Sequence, residues 1–313
     1  MNPTKVKSII SLFGPFLALI VVYAIFGALN PRFFTADVAL NILTQTVIVA
    51  TAAIGMTLII IAGGIDLSVA SILALCGVIA AWLVARHVDP VLVFCGTIAF
   101  GAFCGFCNGS VTVWMKLMPF IVTLGTMQIF RGSAKVFTNG TPINLPPEVT
   151  TWKAWMGGSG LPHGVWLMLG LVIFFTLILR YTRFGRHIYA VGSNELTATL
   201  CGLPVARIKI FVYSIGGAMA GLAALMNMAK SSQGDPTTAM GMELDIIAAV
   251  VIGGASLSGG EGSVLGALVG ALLMTTIRNG CVMNGIPTPW TEVITGAIIV
   301  LAVIIDRLRH KRA

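Results

Sequence analysis

The side chains able to do chemistry are few, and they stand in unusual surroundings. Asp66 lies in Gly63-Gly64-Ile65-Asp66-Leu67-Ser68, with strongly apolar runs on both sides. A carboxylate at membrane depth is costly, so it should face a wet cavity, a partner or an interface. The glycine pair lets a helix break there, and freed backbone groups are tolerated only where they line water or pack in protein. Two roles are open. In one, Asp66 or Ser68 accepts the orphan N–H groups of the following helix at a plain turn. In the other, Gly63, Gly64, Asp66 and Ser68 belong to a pathway or its gate.

Glu243 and Asp245 open a further apolar stretch, just after Gly234-Asp235-Pro236. Acids suit a helix N-terminus, or they form an outer rim on which an external partner docks. Arg131 and Lys135 sit four apart and so share a helix face near one end of an apolar run. Cations so placed are expected to snorkel to the interface. Asn108, Thr123 and Asn279 are polar residues of apolar segments. Such residues hold helices together or line a pathway.

Enzymatic patterns are missing. There is no H-E-x-x-H, G-x-S-x-G or G-x-x-x-x-G-K-[ST]. Leu257-Ser258-Gly259-Gly260-Glu261 looks like the signature of ABC-transporter ATPases. Without a phosphate cradle and its lysine no ATP site can be built, so the match is read as coincidence within a glycine-rich helix break. Cys104 and Cys107 form a C-x-x-C on an apolar run with no second pair and no nearby His. They are expected to be small core residues rather than a metal or redox site. No catalytic residue, metal or bound cofactor is expected on this chain.

The elements that position these residues are membrane helices. The chain has 313 residues, 57% apolar and 10% charged, against roughly 25% charged in soluble domains, and its mean hydropathy is +0.96. A helix of roughly 20 apolar residues crosses the hydrocarbon core, whereas a barrel would alternate in segments of about 10 residues, which are not visible. The expected fold is an all-α polytopic membrane protein, one domain over 1–313. Its candidate spans are 9–29, 41–62, 66–85, 91–115, 119–138, 164–180, 207–228, 242–258, 263–280 and 291–306. With both termini inside, 12 Lys and Arg fall inside and 5 outside, counted on the sequence, as the positive-inside rule requires. The net charge of +8 therefore points to orientation and lipid contact, not to nucleic acid.

Two polar segments interrupt the spans: 139–163, expected outside, and about 181–206, expected in the cytoplasm. The two halves echo each other. IIIAGGIDLSVAS (59–71) resembles VVIGGASLSGGEG (250–262), placing Gly63-Gly64 over Gly253-Gly254. Asn108-Gly109 likewise echoes Asn279-Gly280. Repeated halves with glycine-interrupted segments point to a transport pathway.

GMTLIIIAGGIDLSVAS (55–71), CNGSVTVWMKLMPFIVTLGTMQIFRG (107–132), RYTRFGRHIYAVGSNELTATLCGL (180–203) and ELDIIAAVVIGGASLSGGEGSVLGALVGA (243–271) together resemble the ribose/xylose/arabinose-type permease subunits of bacterial ABC importers. Ala70 and Cys201 are mild departures from that pattern. The resemblance implies an inner-membrane permease working as a homodimer or paired subunit. Its partners would be a cytoplasmic ATPase carrying ATP and Mg and a periplasmic sugar-binding protein. It also implies that Gly192, Ser193, Asn194, Glu195, Ala198 and Gly202 belong to a coupling segment under which the ATPase sits. A permease for a branched amino acid or nucleoside, or a stand-alone secondary transporter, are the other readings.

Overall fold

The computed structural model describes residues 3–149, 152, 155–157 and 160–310. Lys153, Lys311 and Arg312, used in the orientation argument, lie outside them. The described fold is all-α apart from one short strand pair. Helices α1 (Pro3–Leu29), α2 (Ala36–Ile61), α3 (Val69–Ala85), α4 (Pro90–Trp114) and α5 (Pro119–Thr138) form the first half. Then come α6 (His163–Tyr181), α7 (Arg183–Ser193) and α8 (Glu195–Leu200). The second half holds α9 (Val205–Ser231), α10 (Met242–Ile252), α11 (Val264–Met283) and α12 (Thr288–His310).

Local chemistry sets several of these boundaries. Pro90 and Pro119 occupy the first turns of α4 and α5, where the missing N–H costs nothing. Asp89 caps α4, accepting from the Val91 and Leu92 N–H groups at 2.9 and 3.3 Å. Ser263 caps α11 by accepting from the Gly266 N–H at 3.3 Å. Asn139, left-handed, ends α5.

Each of the ten expected spans falls on a helix, but they are not equivalent. Among the described residues five helices, α2, α4, α6, α9 and α11, are long and apolar enough to cross a membrane. Apolar stretches of α1, α3 and α12 are shorter. The expected span over 242–258 is corrected by the structure: α10 stops at Ile252 after 11 residues. At 1.5 Å per residue that is about 16 Å, roughly half the hydrocarbon thickness.

The buried centre is α2. Its apolar window is 94% buried, against 28% for that of α4 and 33% for that of α6. The outer helices turn Leu92, Phe103, Ile173 and Phe174 outward, as a lipid-facing surface should. Between α4 and α9 the backbones nearly touch. A Cβ on Gly105 would overlap the Tyr213 carbonyl, and one on Gly101 would overlap the Gly217 carbonyl. Gly221 fits against Thr97 in the same way. Small residues at four-residue spacing permit this approach, which van der Waals packing then holds. Opposite the α7–α8 end, strands β1 (Ile143–Asn144) and β2 (Gln233–Gly234) pair antiparallel, Ile143 facing Gly234. They tie the 139–163 segment to the loop after α9.

Candidate transport and coupling site

The first glycine break is a helix stop followed by a polar turn. Ala62 caps α2, Gly63 takes φ +79°, and the Gly64 N–H returns to the Ile59 carbonyl at 2.9 Å. Only glycine adopts that φ without strain. Asp66 is buried at 1% exposure. Its Oδ1 accepts from the Ser68 N–H at 2.7 Å and from the Ser68 hydroxyl at 2.6 Å. Asn108 on α4 donates to Ser68 Oγ at 2.7 Å. Thr123 on α5 donates to the Ile65 carbonyl at 3.3 Å, and Tyr213 on α9 reaches the same oxygen at 3.4 Å. Four of the expected pathway residues, Asp66, Ser68, Asn108 and Thr123, therefore converge on one turn. Ser68 makes no side-chain cap; its hydroxyl links Asp66 to Asn108. The Oδ1 of Asn108 is buried without a partner.

The second break repeats the first with a one-residue slip. Gly253 caps α10, Gly254 takes φ +94°, and the Ala255 N–H returns to the Val250 carbonyl at 3.1 Å. The Ser258 N–H then donates to Ser256 Oγ at 3.2 Å, as the Ser68 N–H donates to Asp66. The structural equivalent of Gly63 is thus Gly254, not Gly253 as the sequence echo places it. The left-handed position just past a helix cap selects the glycine, and Ile65 is the extra residue. Gly253 has another job: a Cβ there would overlap Gly266, so α10 and α11 cross backbone to backbone. The second echo does not hold in space. Asn108 joins the first break, whereas Asn279 bonds to Gln45 near the far end of α2.

The two breaks meet each other and the end of α7. The Gly260 N–H donates to the Ile61 carbonyl at 2.9 Å. A Cβ on Gly192 would overlap that carbonyl and lie 2.7 Å from the Gly260 nitrogen. One on Gly259 would come 2.7 Å from the Gly192 oxygen and 2.9 Å from the Gly63 Cα. One on Gly260 would come 2.9 Å from the Ser193 Cα. Tyr189 of α7 adds a hydrogen bond to the Gly262 carbonyl at 2.8 Å. Burial pushes its phenol above the ordinary tyrosine range.

From this joint the expected coupling segment projects outward. Asn194 caps α8, accepting from the Thr197 N–H at 2.8 Å. Glu195 pairs with Lys209 at 2.6 Å. Gly202 takes φ +76° and ends the turn. Ala198, however, faces the bundle at 4% exposure. The outward face is Leu196 and Leu200, 79% and 88% exposed. These two were missed in the sequence. Their signal was present: leucines four apart within Glu195-Leu-Thr-Ala-Thr-Leu200, a spacing that shares one helical face.

The opposite end of the bundle, about 40 Å away along the 27-residue α9, carries the other polar cluster. Asn279 and Gln45 exchange two side-chain hydrogen bonds of 3.0 Å. Thr46 and Thr275 meet at 2.6 Å. Asp245 is not part of an exposed rim. It is buried and paired with Arg278 at 2.6 Å. Glu243 is half-buried, with Oε2 enclosed and unpartnered. Nor does Arg131 snorkel: it is 8% exposed and its Nη1 donates to the carbonyls of Pro236 and Thr238. Low exposure and carbonyl acceptors make it a tie between α5 and the 235–239 loop. Asp245 and Arg278 border a cavity of about 330 Å³ between α2, α9, α10 and α11.

Apolar helices, two matched breaks and a polar segment seated on both define a multi-pass membrane permease. The chain belongs to the family described as the branched-chain amino acid transport system / permease component, matched over residues 38–303. It is similar to the ribose import permease protein RbsC of Escherichia coli (strain K12), 41% identical over 298 residues, 94% of this chain and 93% of that protein. RbsC of Bacillus subtilis (strain 168) is 40% identical over 94% of this chain and 92% of its own. The L-arabinose ABC transporter permease protein AraH of Azospirillum brasilense is 34% identical over 96% and 88%. No solved structure matches. The family and the apolar helices make this a multi-pass protein of the inner membrane.

Proposed function

We propose that this chain is the transmembrane subunit of an ATP-driven importer that moves a monosaccharide or small polyol from the periplasm to the cytoplasm. The observation that carries the mechanism is the joint at Ile61, Gly192 and Gly260, where the coupling segment packs on both breaks through backbone atoms. The substrate class rests on the relatives, whose names specify ribose import and L-arabinose transport.

Ten passages of the chain, in one of which the helix α10 covers only about half the thickness, with both termini cytoplasmic, fit the Lys and Arg distribution. ATP and Mg are held by a partner ATPase, since the chain carries no phosphate-loop motif. That ATPase seats on Leu196 and Leu200, and its movement shifts α7. Because Gly192 and Ser193 lie against Gly63, Gly259 and Gly260, the two breaks move with it. Packed backbones of this kind switch between discrete arrangements rather than deform smoothly. A second copy of the chain completes the permease, lipid surrounds it, and a periplasmic binding protein delivers the solute to the end bearing Glu243 and the charged cavity.

The test is reconstitution in proteoliposomes with a sugar-importer ATPase and a periplasmic sugar-binding protein. ATP-dependent ribose uptake that needs all three components supports the proposal. Uptake by the chain alone, driven by an ion gradient, would overturn it. The family description supports a second substrate class, branched-chain amino acids, and leucine uptake in the same assay reads it directly.

A further inference from the structure

The cavity of about 330 Å³ lies at the end of the bundle opposite the coupling segment. It is lined by apolar side chains, among them Val49 and Met274, and by polar ones, among them Gln45, Lys230, Asp245 and Arg278. Its volume is at the low end of small-molecule pockets, roughly 300–1,000 Å³. One ring-sized solute fits.

Three features select the chemistry of the occupant. The charge of the Asp245 carboxylate is balanced by Arg278 at 2.6 Å, so the lining carries no uncompensated negative charge to hold an ammonium. That disfavours a zwitterionic amino acid. The paired groups keep spare capacity: a carboxylate offers about four lone-pair sites and a guanidinium five N–H donors. The Gln45 amide is held in orientation by the reciprocal bonds to Asn279. Lys230 makes no hydrogen bond or ion pair with the described residues and adds ammonium donors at the cavity edge. Donors and acceptors beside apolar side chains suit the hydroxyl and C–H groups of a sugar ring.

We propose that this cavity is a subsite for one neutral polyhydroxylated ring of monosaccharide size, held within the permease itself. The proposal rests on the importer reading above. It adds that the permease contributes its own selection, rather than only conducting what a binding protein releases.

The experiment uses the full-length chain in nanodiscs, without ATPase or binding protein. Saturation-transfer NMR with D-ribose, L-arabinose and leucine reads binding. Transfer to a sugar but not to leucine is the expected result. Val49→Trp fills the cavity and should abolish the signal. Lys230→Met, which leaves the cavity open and removes one charged donor, should weaken sugar binding about tenfold or more, with the melting temperature unchanged. Sugar binding equal to wild type in Lys230→Met and in folded Val49→Trp would overturn the proposal. So would transfer to leucine alone, or no sugar transfer at millimolar concentration. In those cases sugar uptake by the complete reconstituted importer still supports the importer reading, and absence of sugar uptake there removes that reading as well.

Discussion

Gly260 and Ile61 stand 199 positions apart in the numbering, and the N–H of one donates to the carbonyl of the other at 2.9 Å. The bond joins the glycine break of the second half to the last residue of α2 in the first. Gly192, at the end of α7, closes over the same carbonyl. The helix breaks and the coupling segment are therefore one mechanical unit.

That unit has no room for a methyl group. Gly192→Ala would meet the Ile61 carbonyl, which cannot move without breaking the Gly260 bond. The expected cost is about 1–3 kcal/mol in stability, with ATP-driven uptake lost even in the fraction that folds. Thermal melting and ATPase activity of the assembled importer separate the two. Wild-type uptake in Gly192→Ala would rule out the joint as the transmission element.

On α8 the two faces should respond differently. Leu196→Asp and Leu200→Asp alter only exposed surface and should leave melting within about 0.5 kcal/mol of wild type. They should release the ATPase on copurification. Ala198→Asp buries a carboxylate, and is expected to lower the amount of folded protein first. If Leu196→Asp still copurifies the ATPase, the outward leucines are not the seat. Glu195→Arg breaks an exposed pair with Lys209, worth about 0–1 kcal/mol, so any loss of uptake there reports coupling.

At the first break, Asp66→Ala removes the acceptor for two Ser68 donors and leaves Ser68 and Asn108 to find new partners. A destabilisation of about 2–4 kcal/mol is expected. Asp66→Asn keeps the turn acceptor and should recover most of it. Uptake per folded molecule, measured for both, tells a structural turn from a gate: a turn gives normal uptake in Asp66→Asn, a gate does not.

The outer end gives a further contrast. Arg278→Met leaves the Asp245 carboxylate buried without its cation and should destabilise the protein by about 1–3 kcal/mol. The double substitution with Asp245→Leu should regain part of that loss, read by melting in a double-mutant cycle. Glu243→Lys is expected to raise the binding-protein concentration needed for half-maximal uptake. An unchanged concentration dependence would remove Glu243 from the docking surface.

Much of the architecture is written in local chemistry. Long apolar runs make helices that cross a membrane, because hydrocarbon leaves no other partner for backbone N–H and C=O groups. Pro90 and Pro119 at first turns, Asp89 before Pro90 and the glycines just past α2 mark boundaries that the local sequence locates, whereas the expected span over 242–258 runs through the glycines that end α10. The class of protein was legible for the same reason, through motifs carried in order along the chain. What only the tertiary structure decided depends on which distant segments touch. Asp245 and Arg131 read as outer charges in sequence, yet both are buried because α11 supplies a cation for one and the 235–239 loop supplies carbonyls for the other. Ala198 and Leu196 are two residues apart on one short helix. Only the bundle beneath them makes the first a core residue and the second a surface knob. The pairing of Gly63 with Gly254 slipped by one position because a left-handed backbone, not a matching letter, selects the glycine. And Gly192, Ile61 and Gly260 come together through close packing of three backbones, an arrangement that no spacing along the chain encodes.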